Sequence, residues 1–231
     1  MSAGRRGAVD APGGIEPTSS DARDGSARGA VGEPGAMLVI ISGPSGVGKD
    51  TILRLLKERY SDPRRHFVVT YKTRGRRTSE TDGVDYHFVS EERFRELLAA
   101  NAFLEVAEVH GHWSGTPVDQ VTEALTSGRD AILKIDVQGA QTVKSRVPSA
   151  LLIFVAPPSM EELTGRLKGR ATESQADFER RQRDAAIELA RQHDYDYVVV
   201  NETGQAERTA HRIHEILQAE HAQNPDRRIA L

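Results

Sequence analysis

The stretch Gly43 to Thr51, GPSGVGKDT, limits the possible folds of this chain more than any other. Its first seven residues have the spacing G-x-x-x-x-G-K. Glycines at these places let backbone N–H groups turn inward, at a helix N-terminus that already favours anions. MLVIIS (37–42) precedes the loop, continuous and apolar like a strand buried inside a parallel sheet. DTILRLLKERY follows it, with Ile52, Leu53, Leu55 and Leu56 at helical spacing. Strand, glycine-rich turn and helix in this order predict a nucleoside triphosphate site built from Gly43, Pro44, Ser45, Gly46, Val47, Gly48, Lys49, Asp50 and Thr51. Lys49 would reach the terminal phosphates. Asp50 stands where the pattern normally closes with Ser or Thr, an anion beside the expected phosphates.

Beyond the loop the pattern alternates. FVVTY (67–71), DYHFV (85–89), FLEVAEV (103–109), AILKI (131–135), LLIFV (151–155) and YVVVN (197–201) read as strands. Ser90 can cap a helix through EERFRELLAA, whose early acids suit the positive end. Thr116-Pro117 reads as an N-cap and first-turn proline, with Gly128 near that helix's end. Ser159 and Glu162 have capping-box spacing ahead of MEELTGRLKGR, and a polar helix and a last helix near 205–222 complete the order. Such alternation predicts an α/β fold with a mostly parallel sheet and helices on both faces. Ligands of such sheets bind beyond the carboxyl ends of the strands, where the loop sits.

The first 36 residues carry only Val9, Ile15 and Val31 as sizeable aliphatics before Ala36, among Gly, Pro, Ser, Asp and Arg. They predict a disordered tail, since so little apolar surface cannot offset the entropy of ordering. Met37 directly precedes the first strand, which leaves open whether that tail is translated. With no cysteine, disulfides and thiolate metal sites are excluded. A net charge of -3 argues against a broad nucleic-acid footprint, and no apolar run reaches membrane-spanning length. Arg5 and Arg6 have no apolar segment behind them, so the expectation is a cytoplasmic protein with neither nucleic-acid nor membrane partner. His110 and His112 share a strand face but lack a third ligand nearby. The oligomeric state is not legible.

GPSGVGK, DGVDYHFVS, FLEVAEVHG, GTP, IDVQGA and RLKGR, in this order from about Met37 to about Gln218, resemble guanylate kinases, which transfer the γ-phosphate of ATP to GMP. The resemblance implies a P-loop NTPase three-layer domain over 37–222, with a small GMP-binding part about 69–130 and a helical lid about 163–185. Residues 223–231 would be a flexible tail. Arg74 and Arg77 match arginines that grip the GMP phosphate, a task suited to their forked, permanently charged groups. Tyr86 matches a tyrosine that contacts the same phosphate, and Glu80 lies in register with this group. Glu105 and Asp136 match acids that accept from guanine, with Thr70 and Thr116 as hydroxyl contacts. Adenine would leave those acceptors unpaired. Whether dGMP is also accepted is left open. Arg166 and Arg170, one helical turn apart, and Arg181 on the next helix match lid arginines that act with Lys49 on the charge developed in transfer. Arg180 and Arg183 receive no role, and Asn201 matches a nucleotide-side asparagine.

Three positions depart from the family's pattern. Asp50 replaces the hydroxyl that binds Mg²⁺, Lys134 replaces the first acid of an acid-x-Asp pair, and Ser114 replaces a tyrosine on the GMP phosphate. The first two suggest a relocated carboxylate, with Asp50 a Mg²⁺ ligand carried with ATP and Lys134 close enough to balance it. Ser114 predicts a raised KM for GMP unless Trp113 or a water fills the gap. A loop ending in GKD also occurs in ribose 1,5-bisphosphate phosphokinases, which supply an alternative acceptor. The alternative outside catalysis is a guanylate-kinase-like binding module. Lys49, the loop glycines and the lid arginines favour the enzyme.

Overall fold

The computed structural model describes residues 33–109, 111–168 and 175–231. The tail expected over 1–36 therefore lies almost wholly outside the described residues. β1 (Leu38–Ser42) is buried along its entire length and leads through the glycine loop into α1 (Lys49–Arg59). β2 (Arg65–Phe67), β3 (Tyr71–Lys72) and β4 (His87–Phe88) are short, and α2 (Glu91–Ala99) follows with Ser90 Oγ accepting from Arg93 N at 3.1 Å. β5 (Phe103–Val109) and β6 (His112–Pro117) precede α3 (Val118–Thr126), β7 (Asp130–Lys134) and α4 (Val137–Arg146). β8 (Leu151–Ala156), α5 (Met160–Lys168), α6 (Gln175–Ala190), β9 (Tyr197–Val200) and α7 (Ala206–Gln223) close the order.

Five strands form a parallel sheet in the order β2-β7-β1-β8-β9. Its side chains alternate between two core clusters, as the period-two geometry of a strand requires. Leu38, Ile40, Leu133, Leu152 and Phe154 meet Val121 and Leu125 of α3 and Ala140 and Val143 of α4 on one face. Val39, Ile41, Ile132, Ile153 and Val155 meet Ile52 and Leu56 of α1 and Ile213 and Leu217 of α7 on the other. Burial on both faces is why β1 and β8 read as unbroken apolar runs. A four-stranded sheet, β4-β3-β6-β5, stands beside this one, with β5 and β6 an antiparallel hairpin and β3 antiparallel to β6.

Four sequence expectations change. FVVTY is two strand ends rather than one strand: Phe67 closes β2 in the parallel sheet, and Tyr71 opens β3 in the other. Between them Val68 N bonds Ile132 O at 3.0 Å and Val69 N bonds the Gln120 side chain at 2.9 Å, so the chain changes sheets with both of these N–H groups satisfied. DYHFV shrinks to His87–Phe88. Thr116 is inside a strand, and Pro117 is the N-cap residue of α3 rather than its first turn. The segment expected as a C-terminal tail carries Ile229 fully buried in the first cluster, while Gly35 N bonds Arg227 O at 3.0 Å. Among the described residues no helix is long and apolar enough to cross a membrane.

Candidate functional site

The carboxyl ends of β1 and β7, the start of α1, the second sheet and the inner side of α6 enclose a cleft of about 530 Å³. Its floor is the glycine loop. Gly43 has φ +139°, and a Cβ there would fall 2.2 Å from the Val155 carbonyl oxygen on β8, so no side chain fits. Gly48, at φ +103°, precedes α1, and a Cβ on it would meet Asn201 Nδ2 at 2.6 Å. Lys49 Nζ donates to Gly43 O at 2.5 Å and Pro44 O at 3.1 Å, folded back over its own loop. Burial lowers its pKa, against the pull of Glu188, Asp50 and Asp136. Ser45, Gly46, Gly48, Lys49, Asp50 and Thr51 line the cleft. Asn201 lies behind the loop, donating to Val47 O at 2.7 Å and accepting from Thr209 Oγ1 at 3.0 Å.

Asp50, in the first turn of α1, is joined to the end of β7 and to the residue just ahead of β4. Lys134 Nζ, at the end of β7, donates to Asp50 Oδ1 at 2.5 Å, and Tyr86 OH donates to the same oxygen at 3.3 Å. The lysine ammonium also sits 4.2 Å from the Tyr86 ring centroid. Burial opposes ionisation of Asp50, but Lys134 and Lys49 outweigh it and hold the carboxyl below its ordinary pKa. The close approach expected of these two side chains is thus present. A carboxylate kept ionised, with its side chain 63% exposed, has the donor chemistry that a hard cation takes.

Across the cleft, Arg74 forms a two-pronged pair with Glu80, Nη1 to Oε2 at 2.7 Å and Nη2 to Oε1 at 2.5 Å. Glu80 also accepts from Arg77 N at 2.9 Å, so it braces both arginines while they line the cleft beside Tyr86. Thr70, Glu105, Ser114 and Thr116 are buried. The β5–β6 register sets Glu105 opposite Thr116, whose hydroxyl donates to Glu105 Oε1 at 2.6 Å. Glu105 Oε2 is buried with no partner among the described residues. Burial drives the Glu105 carboxyl up to about 7, with Thr116 pulling the other way. Gly139 of α4 presses on it: a Cβ there would come 2.6 Å from Oε2. Asp136 lines the cleft and caps α4, its Oδ1 accepting from Gln138 N and Gly139 N.

Of the arginines expected in a lid, Arg181 on α6 lines the cleft together with Arg180, to which sequence reasoning gave no role. Arg166 lies outside the cleft lining, donating to Asn201 O and Thr203 Oγ1, each at 2.9 Å, and to Glu162 at 3.2 Å. Arg170 and His110 lie outside the described residues; His112 lines the cleft. Two further residues went unnoticed in the sequence. Glu188, on α6, lines the cleft, and its carboxyl is driven by burial up to about 7 with Lys49 across the cleft pulling the other way. Lys72 lines it from β3 and donates to Ser114 Oγ at 3.0 Å. Neither carries a signal in the linear pattern, because both contacts are made across elements.

The family profile described as guanylate kinase matches residues 35–220. A guanylate kinase of Mycobacterium leprae is 49% identical over 166 residues, covering 71% of this chain and 78% of that protein. One from Latilactobacillus sakei is 40% identical over 190 residues, covering 82% and 92%. Among solved structures, the crystal structure of guanylate kinase from Anaplasma phagocytophilum superposes with a TM-score of 0.68 at 31% identity, over 84% of this chain and 90% of that one.

Proposed function

The chain belongs to the guanylate kinase family, and from that premise we infer how its own residues carry the reaction. It is a nucleoside monophosphate kinase that transfers the γ-phosphate of ATP to GMP. The observation that carries the residue assignment is the pairing, across one cleft, of the glycine loop with the Arg74–Arg77–Tyr86 group. A donor phosphate on the first and an acceptor phosphate on the second would stand facing each other.

In this reading the loop N–H groups and Lys49 take the ATP phosphates, with Lys49 releasing its own loop carbonyls to do so. Arg74, held by Glu80, and Arg77 grip the GMP phosphate, whose oxygen attacks the γ-phosphorus as ADP leaves. Such transfer needs positioning and charge stabilisation, with no covalent protein intermediate. Arg181, which lines the cleft from α6, supplies positive charge on that side, the role that the family resemblance also implies for Arg166 and Arg170. Glu105 reads guanine: its unpartnered Oε2 awaits a donor, and guanine brings N–H groups where adenine does not. Asn201 acts as a strut for the loop, since it holds Val47 O from behind. Asp50 would be the protein's ligand to a Mg²⁺ ion carried with ATP, and the ion would supply charge neutralisation on the phosphates.

Formation of ADP from Mg-ATP, measured with GMP, AMP and ribose 1,5-bisphosphate as separate acceptors, tests the assignment. Turnover confined to GMP is the expected result. Turnover with the ribose bisphosphate alone would move the acceptor, and GMP binding without turnover would make the protein a binding module.

A further inference from the structure

We propose that Lys72 is a third cationic ligand for the acceptor's phosphate, beside Arg74 and Arg77; the proposal rests on the reading that this cleft takes GMP. Lys72 ends β3, Arg74 lies in the bend two residues on, and both side chains line the cleft. Lys72 Nζ lies 5.0 Å and the Arg74 guanidinium carbon 5.3 Å from the centroid of one ring, that of Tyr86. The two cations thus converge on one tyrosine at the cleft wall. The β3–β6 register puts Lys72 opposite Ser114, and the Ser114 hydroxyl fixes the ammonium through its 3.0 Å hydrogen bond.

The charge on Lys72 is otherwise unanswered. An ammonium carries three donors, and among the described residues Ser114 is its one hydrogen-bond partner. Its carboxylate neighbours, Asp136 and Glu105, attract it from a distance, while Arg74 and Lys134 repel it. Burial, followed by those two cations, brings its pKa down to about 8. A lysine kept for structure would gain from a carboxylate in contact. One held by a neutral hydroxyl, with two cations nearby and no carboxylate in contact, is arranged for an incoming anion. A phosphate monoester dianion supplies that anion, and its three oxygens can take two arginines and a lysine together.

The test compares wild type, Lys72→Met and Lys72→Arg in steady-state assays from pH 6.5 to 9.5, varying GMP and ATP separately. Lys72→Met is expected to raise KM for GMP about ten- to a hundredfold, the value of a hydrogen bond to a charged group, while KM for ATP changes less than about twofold. The wild-type kcat/KM for GMP should fall as pH rises through about 8, because that ratio reports groups of the free enzyme. Lys72→Arg, permanently charged, should abolish this alkaline fall. An unchanged KM for GMP in Lys72→Met, or the same alkaline fall in Lys72→Arg, overturns the proposal and leaves the GMP reading intact. Wild-type protein without GMP turnover or binding overturns both.

Discussion

Asp50 and Lys134 stand 84 residues apart in the chain and share one hydrogen bond at the mouth of the phosphate loop. Their coupling is testable by a double-mutant cycle. Asp50→Ser strands the Lys134 charge, and Lys134→Glu sets two carboxylates against each other. Each single change is expected to lower kcat/KM about tenfold or more, and the double variant Asp50→Ser/Lys134→Glu to recover most of that loss. Losses that simply add would show the two residues act independently. Glu105 gives a pH signature. Its carboxyl titrates near 4.5 in the unfolded chain and at about 7 when folded, so between these values the folded state holds the extra proton. Stability of the nucleotide-free protein should therefore decline as pH rises from about 4.5 to about 7, by on the order of 3 kcal/mol for this group. Denaturant titrations of wild type and Glu105→Gln isolate the contribution; parallel curves across that window would contradict it. At this scale the sequence was readable where a residue's place at the cleft follows from its own motif, as for Lys49 or Arg74. The placement of Lys72 was not readable, because it is fixed by Ser114, which lies opposite it on another strand. If Lys72 binds the acceptor phosphate as proposed, the lysine that the Ser114 hydroxyl holds would offset the affinity loss expected at that position.

At the level of elements, strands β1 and β8 were legible because each is a nearly continuous apolar run buried on both faces, and β7 through the shorter apolar run Ala131 to Leu133. FVVTY misled for the same reason: it is as apolar as they are, yet its backbone leaves one sheet and enters another within three residues, Val68 to Thr70. β6, HWSGTP, has no apolar alternation to announce it and is made a strand by its pairing with β5. Its Gly115 lets Phe103 lie against the backbone, where a Cβ would sit 2.8 Å from the ring. The helix end at Gly128 follows local chemistry and was legible: Gly128 N bonds Leu125 O and Arg129 N bonds Ala124 O, closing α3 with a left-handed glycine. The glycine in IDVQGA has a different task, since it allows α4 to approach the Glu105 carboxylate. Gly139→Ala should push that carboxylate out of place and raise KM for GMP about tenfold, with KM for ATP little changed. Equal effects on both substrates would point instead to a general loss of packing.

For the whole molecule, the α/β class and the position of the cleft followed from the order of strands and helices, but the extent of the folded unit did not. A polar stretch such as NPDRRIAL gives no period from which to read that Ile229 enters the core beside Ala36. Ile229→Ala is expected to cost about 2–5 kcal/mol in a denaturant titration, as for other fully buried aliphatics. A change below 0.5 kcal/mol, the range of surface substitutions, would place that residue outside the cooperative core. The hydrogen bond from Gly35 to Arg227 has a topological consequence: the two ends of the folded unit are fastened to each other. A unit closed in this way is almost a ring. It can be spliced as a cassette into a surface loop of a host protein, or its ends linked and the chain reopened at an exposed turn, without stretching either the guest or the host.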